Sequence, residues 1–403
     1  MGTVEYYCGE ELLSLHKKDN EYSYTNKDEL KVEIVKNGII YPLEISETGI
    51  EENNQYGGVC DENNNFVELS KNTRINRDFH LPYPQWYVGA NPNVELEKIE
   101  YIDEDVVFIG AMHGHFGHFL FESLNRLWFF LNNENKKYKA AYIISNTFPN
   151  KKQLDMLKIF GLKEENLIQV NKPVRFKNVI VPEVSYSLND KCHKKYRETI
   201  EKIKENVIKK QKKIKVDKKI FFSKEFIGNS RAIGEEKIAL EFKRNGYKIV
   251  HPEKLGIYEY ILLLSQCKSL VCTSATNAHN CIFLPNNSEI IVLNRSNHIH
   301  YIQTMIEKLF DFHSVHIQCH QNLLPVSYCQ GPFLISPTKY LKNFFKDRKM
   351  KFNKHLELST SDIFKFFREW ANIYKNPNSL IENNKKEYIE KSDIIALIHT
   401  VLE

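Results

Sequence analysis

The period of the apolar residues changes several times along the chain, and each change marks an expected element. Residues 1 to about 100 are turn-rich and polar (EENNQYGG, DENNN), with strand-like pieces at LKVEIV and IIYPLEI and an alternating run at VELEKIEYIDEDVVFIG. This predicts a β-rich opening to a first domain. From Gly114 the period becomes helical: Phe119, Leu120, Leu124, Leu127, Trp128 and Leu131 share one face, which predicts a half-buried helix over about 117–132. Strand AAYIIS, helix QLDMLKIFGL closed by Gly161, and strands LIQV and NVIVPE follow, the alternation of βαβ units on a parallel sheet.

Residues 186–218 read as one long, basic, amphipathic helix, with Ile200, Ile203, Val207 and Ile214 on its apolar side. A second alternating run begins after it: strand KIFFS, helix EEKIALEFKRN stopped by Gly246, strand YKIVHP, helix IYEYILLLSQ, strand SLVCTS, a polar turn, a short helix through Phe283, and strand EIIVLN. The fold class is therefore α/β, and the second run predicts a doubly wound open sheet. The expected division is an N-terminal α/β domain at 1–185, a linker helix at 186–218, a Rossmann-like domain at 219–325 and a helical tail at 326–403 (KYLKNFFKDRKMKFNKHL, SDIFKFFREWANIY, KSDIIALIHTVL). No internal repeat is visible.

Composition narrows the class. With 403 residues, 42% hydrophobic and 27% charged, the chain has the balance of a soluble globular protein of two to three domains. The net charge of +5 does not by itself predict a nucleic-acid binder, and none is expected as a partner. The charge is uneven, however. Residues 186–224 hold 14 basic and 5 acidic side chains, and residues 339–355 hold 7 basic and 1 acidic. The second block interleaves Tyr340, Leu341, Phe344, Phe345, Met350 and Phe352 with its lysines, the pattern of a peripheral helix on an anionic membrane or of a merely solvated helix. Eight scattered cysteines without a C-x-x-C pair read as reduced thiols of a cytoplasmic protein. No stretch reaches the ~20 apolar residues of a spanning helix, so any contact with the inner membrane face is expected to be peripheral.

An open parallel sheet binds ligands beyond the carboxyl ends of its strands, which directs attention to the turns after KIFFS and SLVCTS. The first carries Ser223, Lys224 and, after a Gly-Asn-Ser bend, Arg231, two cations suited to a diphosphate or simply to a solvated loop. The second, Thr273, Ser274, Ala275, Thr276 and Asn277, has small residues that let backbone N–H groups approach a phosphate at a helix N-terminus, or that merely cap the helix.

HGHFGHFLFESLNRLW carries the most unusual chemistry. On a helix, His118, Glu122 and Arg126 form one polar row at i, i+4 and i+8, and a histidine oriented by a carboxylate is a general base near neutral pH. A surface ion-pair row is the alternative. His113, His115 and His118, and separately His313, His316, Cys319 and His320, offer nitrogen and sulfur in numbers that would suit the zinc of a metal-dependent hydrolase. Neither set has a standard spacing with a fourth ligand, and no metal is expected. P-loop, G-x-G-x-x-G, G-x-S-x-G and H-E-x-x-H motifs are missing, and Asp103 and Asp105 flank Glu104 in a stretch expected to be a loop.

Over about residues 100–310 the sequence resembles glycosyltransferase family 61, which includes bacterial capsule and lipopolysaccharide transferases and plant and animal enzymes. GHFGHFLFESLNRLW is similar to the family's (N/H)-F-G-H-F-L-x-E-x-L-x-R-L-W, with Gly117, His118, Glu122, Arg126 and Trp128 in place. FFSKEFIGNSRAIGEE is similar to I-S-R-x…S-R-x-I-x-N-E through Ser223, Arg231 and Glu235, with Lys224 where the family has Arg. CTSATNAHNCIFLP is similar to G-x-H-G-A-x-L-T-N-x-x-F-x-P through Asn280, Phe283 and Pro285, with Ser274 at the family's His and Ala275 at its Gly.

The resemblance implies a GT-B fold, two Rossmann-like domains facing a cleft, and an inverting, metal-independent transferase with no cofactor beyond its nucleotide-sugar co-substrate. His118 and Glu122 are the expected catalytic pair, with His115 and Arg126 on the acceptor side. Ser223, Lys224, Arg231, Glu235, Ser274, Thr276, Asn277 and Asn280 are expected around the donor. The expected acceptor is a bacterial surface glycan, lipid-linked or free. A non-catalytic nucleotide- or glycan-binding protein of the same fold is the alternative.

Overall fold

The computed structural model describes residues 2–45, 55–72, 74–76, 81–83, 94–145, 148–210, 217–224, 232–326 and 331–374. Arg231 and the tail stretch KSDIIALIHTVL lie outside the described residues, as does part of the expected linker.

In chain order the longer elements are β1 (Thr3–Tyr7), α1 (Glu10–Glu21), β2 (Val32–Lys36), β3 (Ile39–Ile45), β4 (Gln55–Cys60), β5 (Glu100–Met112), β6 (Lys139–Ile144), α2 (Lys151–Phe160), β7 (Leu167–Gln169) and β8 (Val174–Pro182). Then come α3 (Lys194–Lys210), β9 (Lys219–Phe222), α4 (Glu235–Arg244), β10 (Lys248–Val250), α5 (Ile257–Gln266) and β11 (Ser269–Thr273). β12 (Glu289–Asn294), α6 (Tyr301–Leu309), β13 (His313–Gln318), α7 (Lys339–Asp347) and α8 (Thr360–Ile373) complete them. The class is mixed α/β, as the alternation predicts.

Two sheets organise the chain. The first runs β7-β6-β5-β8-β3-β4, parallel from β7 to β8 and antiparallel beyond, with β2 also paired to β8. The second runs β10-β9-β11-β12-β13-β1 and is parallel throughout. β11 and β12 are buried almost end to end, which is why they read as continuous apolar runs. Numbered from β9, the second sheet has the order 2-1-3-4-5, so its topological switch point lies between β9 and β11.

Several expectations change. The first strand pairs with β13, Thr3 to His313 through Tyr7 to Ile317, and so belongs to the second sheet rather than to the unit drawn at 1–185. Among the described residues of the expected helix over 186–218, Lys194–Lys210 form α3 and short strands at Tyr186–Ser187 and Lys191–His193 precede it, while 211–216 lie outside the described residues. α3 is no free connector: Tyr196, Ile200, Ile203 and Val207 are buried in one apolar cluster with Ile109 and Met112 of β5 and Phe222 and Leu270 of the second sheet. At ~25 cal/mol per Å2 of apolar surface, four such side chains contribute several kcal/mol to joining the halves.

Asp103, Glu104 and Asp105 lie within β5 and not in a loop. In the basic block, Leu341, Phe344 and Phe345 are buried, and Tyr340, Met350 and Phe352 pack on the same cluster, so the aromatic face that would enter a membrane covers the protein's own core. No described helix is long and apolar enough to cross a membrane.

Candidate active site

The carboxyl end of β5 leads into His113–His118. The regular helix expected over 117–132 is replaced by an α-helical turn at Phe116–His118, a π-helical turn at Phe119–Ser123 and a 3-10 turn at Leu127–Leu131. Leu124 (φ −94°, ψ −6°) and Arg126 (φ −106°, ψ −4°) leave helical geometry between them. Side chains fix this irregular path: Ser123 Oγ donates to Ala111 O (2.8 Å) and accepts from the His113 N–H (3.1 Å), and Trp128 Nε1 donates to Glu183 O (2.8 Å). Single-turn π segments are rare in helices and recur at functional sites.

The π turn keeps His118 and Glu122 together: Nδ1 of His118 bonds to Oε2 of Glu122. Glu122 is 1% exposed, and its Oε1 accepts a long bond from Asn72 Nδ2 at 3.5 Å. The His118 side chain remains 35% exposed. The carboxylate thus fixes the proton on Nδ1, which makes Nε2 the ring's acceptor nitrogen. The His115 ring lies 5.0 Å from that of His118, and His113 lies 5.8 Å away.

Arg126 does not join them. It is fully buried and donates from Nε to Pro182 O (2.9 Å) and from Nη2 to Leu69, Ser70 and Lys71 carbonyls (3.0, 2.9 and 2.8 Å). The acceptor-side role expected of it is corrected: a break in the helix turns Arg126 into the protein, where it braces the backbone.

The second part of the site stands at the switch point. Lys224 follows β9, and the turn 274–277 follows β11. The two halves meet directly: a Cβ built on Gly117 would sit 3.2 Å from Thr276 Oγ1, so glycine permits the close approach. The helix after the turn is one turn long (Thr276–His279), too short to carry much of a dipole, which removes the helix N-terminus as the main phosphate contact. Polar side chains gather there instead. Among the described residues, Asn277 Nδ2, His279 Nε2 and Asn280 Oδ1 are buried without hydrogen-bond partners. Buried polar atoms are rarely left so, and three within four residues make this a place where a polar ligand would be stabilised.

Charge points the same way. Burial pulls the Lys224 ammonium down to about 8, with the neighbouring Arg295 cation next in weight and Glu235 opposing. Burial first, then Arg295, Lys224 and His115, holds His279 down to about 3. His300 lies well below its ordinary value through burial, His298 and Arg295. Two neighbouring cations with neutral imidazoles beside them form a place that an anion would stabilise. Arg295, one residue beyond β12, was not singled out in the sequence, although its place after a predicted strand was the available signal. Its guanidinium lies over the Phe333 ring (4.2 Å), and its N–H donates to Ser274 Oγ (3.3 Å).

Ser274 and Glu235 act through the backbone: Ser274 holds Arg295, and Glu235 Oε2 accepts the Lys224 N–H (3.0 Å). Burial raises the Glu235 carboxyl, against that N–H and the Lys224 charge. Ser223 is buried, with its N–H on Val250 O. No three His, Cys, Asp or Glu side chains converge as a metal would need among the described residues, and this includes the His313–His320 set.

Residues 116–291 match the family model Glycosyltransferase 61. The chain carries a glycosyltransferase 61 domain. The match runs from the His118 turn through β9 and β11 into β12, so the glycosyltransferase segment contains both halves of the site, while Arg295 lies just beyond it. No curated protein matches the chain.

One residue of this glycosyltransferase is strained. Ala275 sits at φ 87°, ψ −156°, a region open essentially to glycine, and its carbonyl receives the Ala278 and His279 N–H groups. Ala275→Gly is expected to raise stability by about 1 kcal/mol. Chemical denaturation of the two proteins measures it, and a less stable glycine variant would refute the strain.

Proposed function

We propose that this glycosyltransferase moves a sugar from a nucleotide-sugar donor to a glycan hydroxyl by a single inverting displacement without a metal, on a GT-B-like frame whose two sheets bring their carboxyl-end loops together. The meeting of the His118–Glu122 pair with the cationic turn at Lys224, Arg295 and 274–280 carries this reading. His118 Nε2 takes the acceptor proton, the freed oxygen bonds to the anomeric carbon, and the bond from that carbon to the diphosphate oxygen breaks with its electron pair. The charge developing on the diphosphate falls beside Lys224 and Arg295, preorganised at the moment it appears. A surface glycan of the capsule or lipopolysaccharide class remains the acceptor we favour from the motif resemblance. The exposed lysines 339, 342, 346 and 349 offer an electrostatic contact with an anionic inner membrane face without apolar insertion.

Calorimetric titration with nucleoside diphosphates of each base tests the donor half. At least one is expected to bind, and Lys224→Met to weaken it about tenfold, the loss of one charge-assisted contact. The diphosphate recognises the protonated amine, so affinity is expected to be steady below about pH 8 and to fall above it as the ammonium deprotonates. Lys224→Met should flatten that limb. No binding, or the same falling limb in Lys224→Met, would overturn the assignment.

A further inference from the structure

Behind the turn at 274, on the side of β12 and β13, lies a small pocket whose wall includes His16, Ser274, Asn294, His298, Gln303 and His316. It has room for about one water-sized group. α1 closes it: β1 carries the N-terminal segment to the edge of the second sheet, and His16 reaches back from α1 to within 4.6 Å of the His316 ring, centroid to centroid.

The hydrogen bonds in this wall assign its chemistry. Glu307 Oε1 accepts from His316 Nε2 (3.0 Å) and from Gln303 Nε2 (3.1 Å). His316 therefore carries its proton on Nε2, and its Nδ1 is an acceptor; Gln303 likewise keeps Oε1 as an acceptor. Both atoms are buried and have no partner among the described residues. Asn294 Nδ2 lies 3.3 Å from His16 Nε2, which makes that nitrogen an acceptor too, and burial beside His316 holds His16 uncharged, down to about 2. The wall thus asks for a hydrogen-bond donor. A carboxylate could donate nothing to the two acceptors and would approach the Glu307 charge. A hydroxyl fits both the size and the need.

We propose that this pocket is a hydroxyl subsite for the donor sugar, in which one hydroxyl-bearing arm of an uncharged sugar donates to His316 Nδ1 or Gln303 Oε1. This rests on the reading that the 274–280 turn holds the donor, since Ser274, Ala275 and Ala278 line both. The subsite sets specificity, and His118 is not part of its wall, so it acts on the KM for donor and not on proton transfer.

The test pairs donors with variants. For the full protein, a neutral donor and its singly deoxygenated analogues are compared in transfer and in binding, with Gln303→Leu and the more conservative Gln303→Met alongside. One deoxy analogue is expected to raise the donor KM about tenfold or more in the wild type. The same analogue should cost Gln303→Leu little further, while binding of the bare nucleoside diphosphate stays unchanged in all variants. Uronic-acid donors are expected to be poorer than their neutral counterparts by at least tenfold. If every deoxy analogue behaves alike in wild type and variants, the pocket holds a structural water and the proposal falls, as it does if an acidic sugar is preferred. Should neither leucine nor methionine be tolerated, the wild-type series of neutral, deoxy and acidic donors decides on its own. Failure of the wild type to bind any nucleoside diphosphate would instead remove the donor reading beneath it.

Discussion

His118→Ala is expected to lower the turnover of glycosyl transfer by at least a hundredfold while leaving nucleoside diphosphate affinity within about twofold. General-base catalysis is worth 100- to 10,000-fold, so the barrier should rise by about 3 kcal/mol or more. The split follows from where the groups stand. His118 belongs to the loop beyond β5, whereas the cations and unpartnered polar atoms belong to the loops beyond β9, β11 and β12. The imidazole is itself partly exposed, but its loss takes a partner from the buried Glu122 carboxylate, so a stability cost of about 1–3 kcal/mol is expected beside the loss of turnover.

Glu122→Gln supplies a graded control. The amide oxygen can still accept from Nδ1 but no longer stabilises the imidazolium that forms as the acceptor proton arrives, and an intermediate loss of about tenfold is expected. Steady-state kinetics with a lipid-linked or free glycan acceptor, beside calorimetry with the nucleotide, separates the two effects. Full transfer by His118→Ala would sink the assignment of the base.

What could be read from the sequence divides along a physical line. Four strands of the second sheet, β9 to β12, were legible, because a parallel strand covered on both faces is an apolar run, as SLVCT and EIIVLN are, whereas β1 and β13, at the other edge, were not read as strands. The His118–Glu122 contact was legible because it needs only one turn of local structure, and a π turn brings the two residues together as a regular one would. Features that depend on distant partners were hidden. Nothing local tells TVEYY that its neighbour is β13, more than 300 residues away. The apolar faces of α7 and of the 350–352 segment signal that something covers them, without saying whether it is lipid or the rest of the chain. Arg295 gains its meaning only when the strand order places β12 beside the switch point. Ala275 shows the reverse: the backbone adopts a conformation open essentially to glycine at a position where the resembling motif has glycine, and the turn's hydrogen bonds hold it there although the residue is alanine.

Arg126→Ala is expected to destabilise the protein by about 3–5 kcal/mol, the range for removing a buried charged group from the partners it holds. A helical wheel puts Arg126 beside His118 and Glu122, and on that arrangement the substitution would lower transfer and spare stability. The structure reverses the expectation. The guanidinium is wholly buried and gathers carbonyls from two separate stretches, Leu69–Lys71 and Pro182, beneath the irregular segment that carries His118. Removing it leaves those carbonyls without donors and opens a cavity against Phe108, over whose ring the guanidinium lies (5.7 Å). Arg126→Met fills much of the volume but satisfies no carbonyl, so it should recover only the cavity part. Arg126→Lys keeps the charge on a single nitrogen that cannot span both stretches, and a loss of about 2 kcal/mol or more is expected. Urea denaturation followed by circular dichroism ranks the three. Whatever fraction of each variant remains folded should still gain melting temperature from the nucleoside diphosphate, because the cationic turn belongs to the other sheet. An Arg126→Met protein as stable as the wild type but deficient in transfer would return Arg126 to the acceptor side.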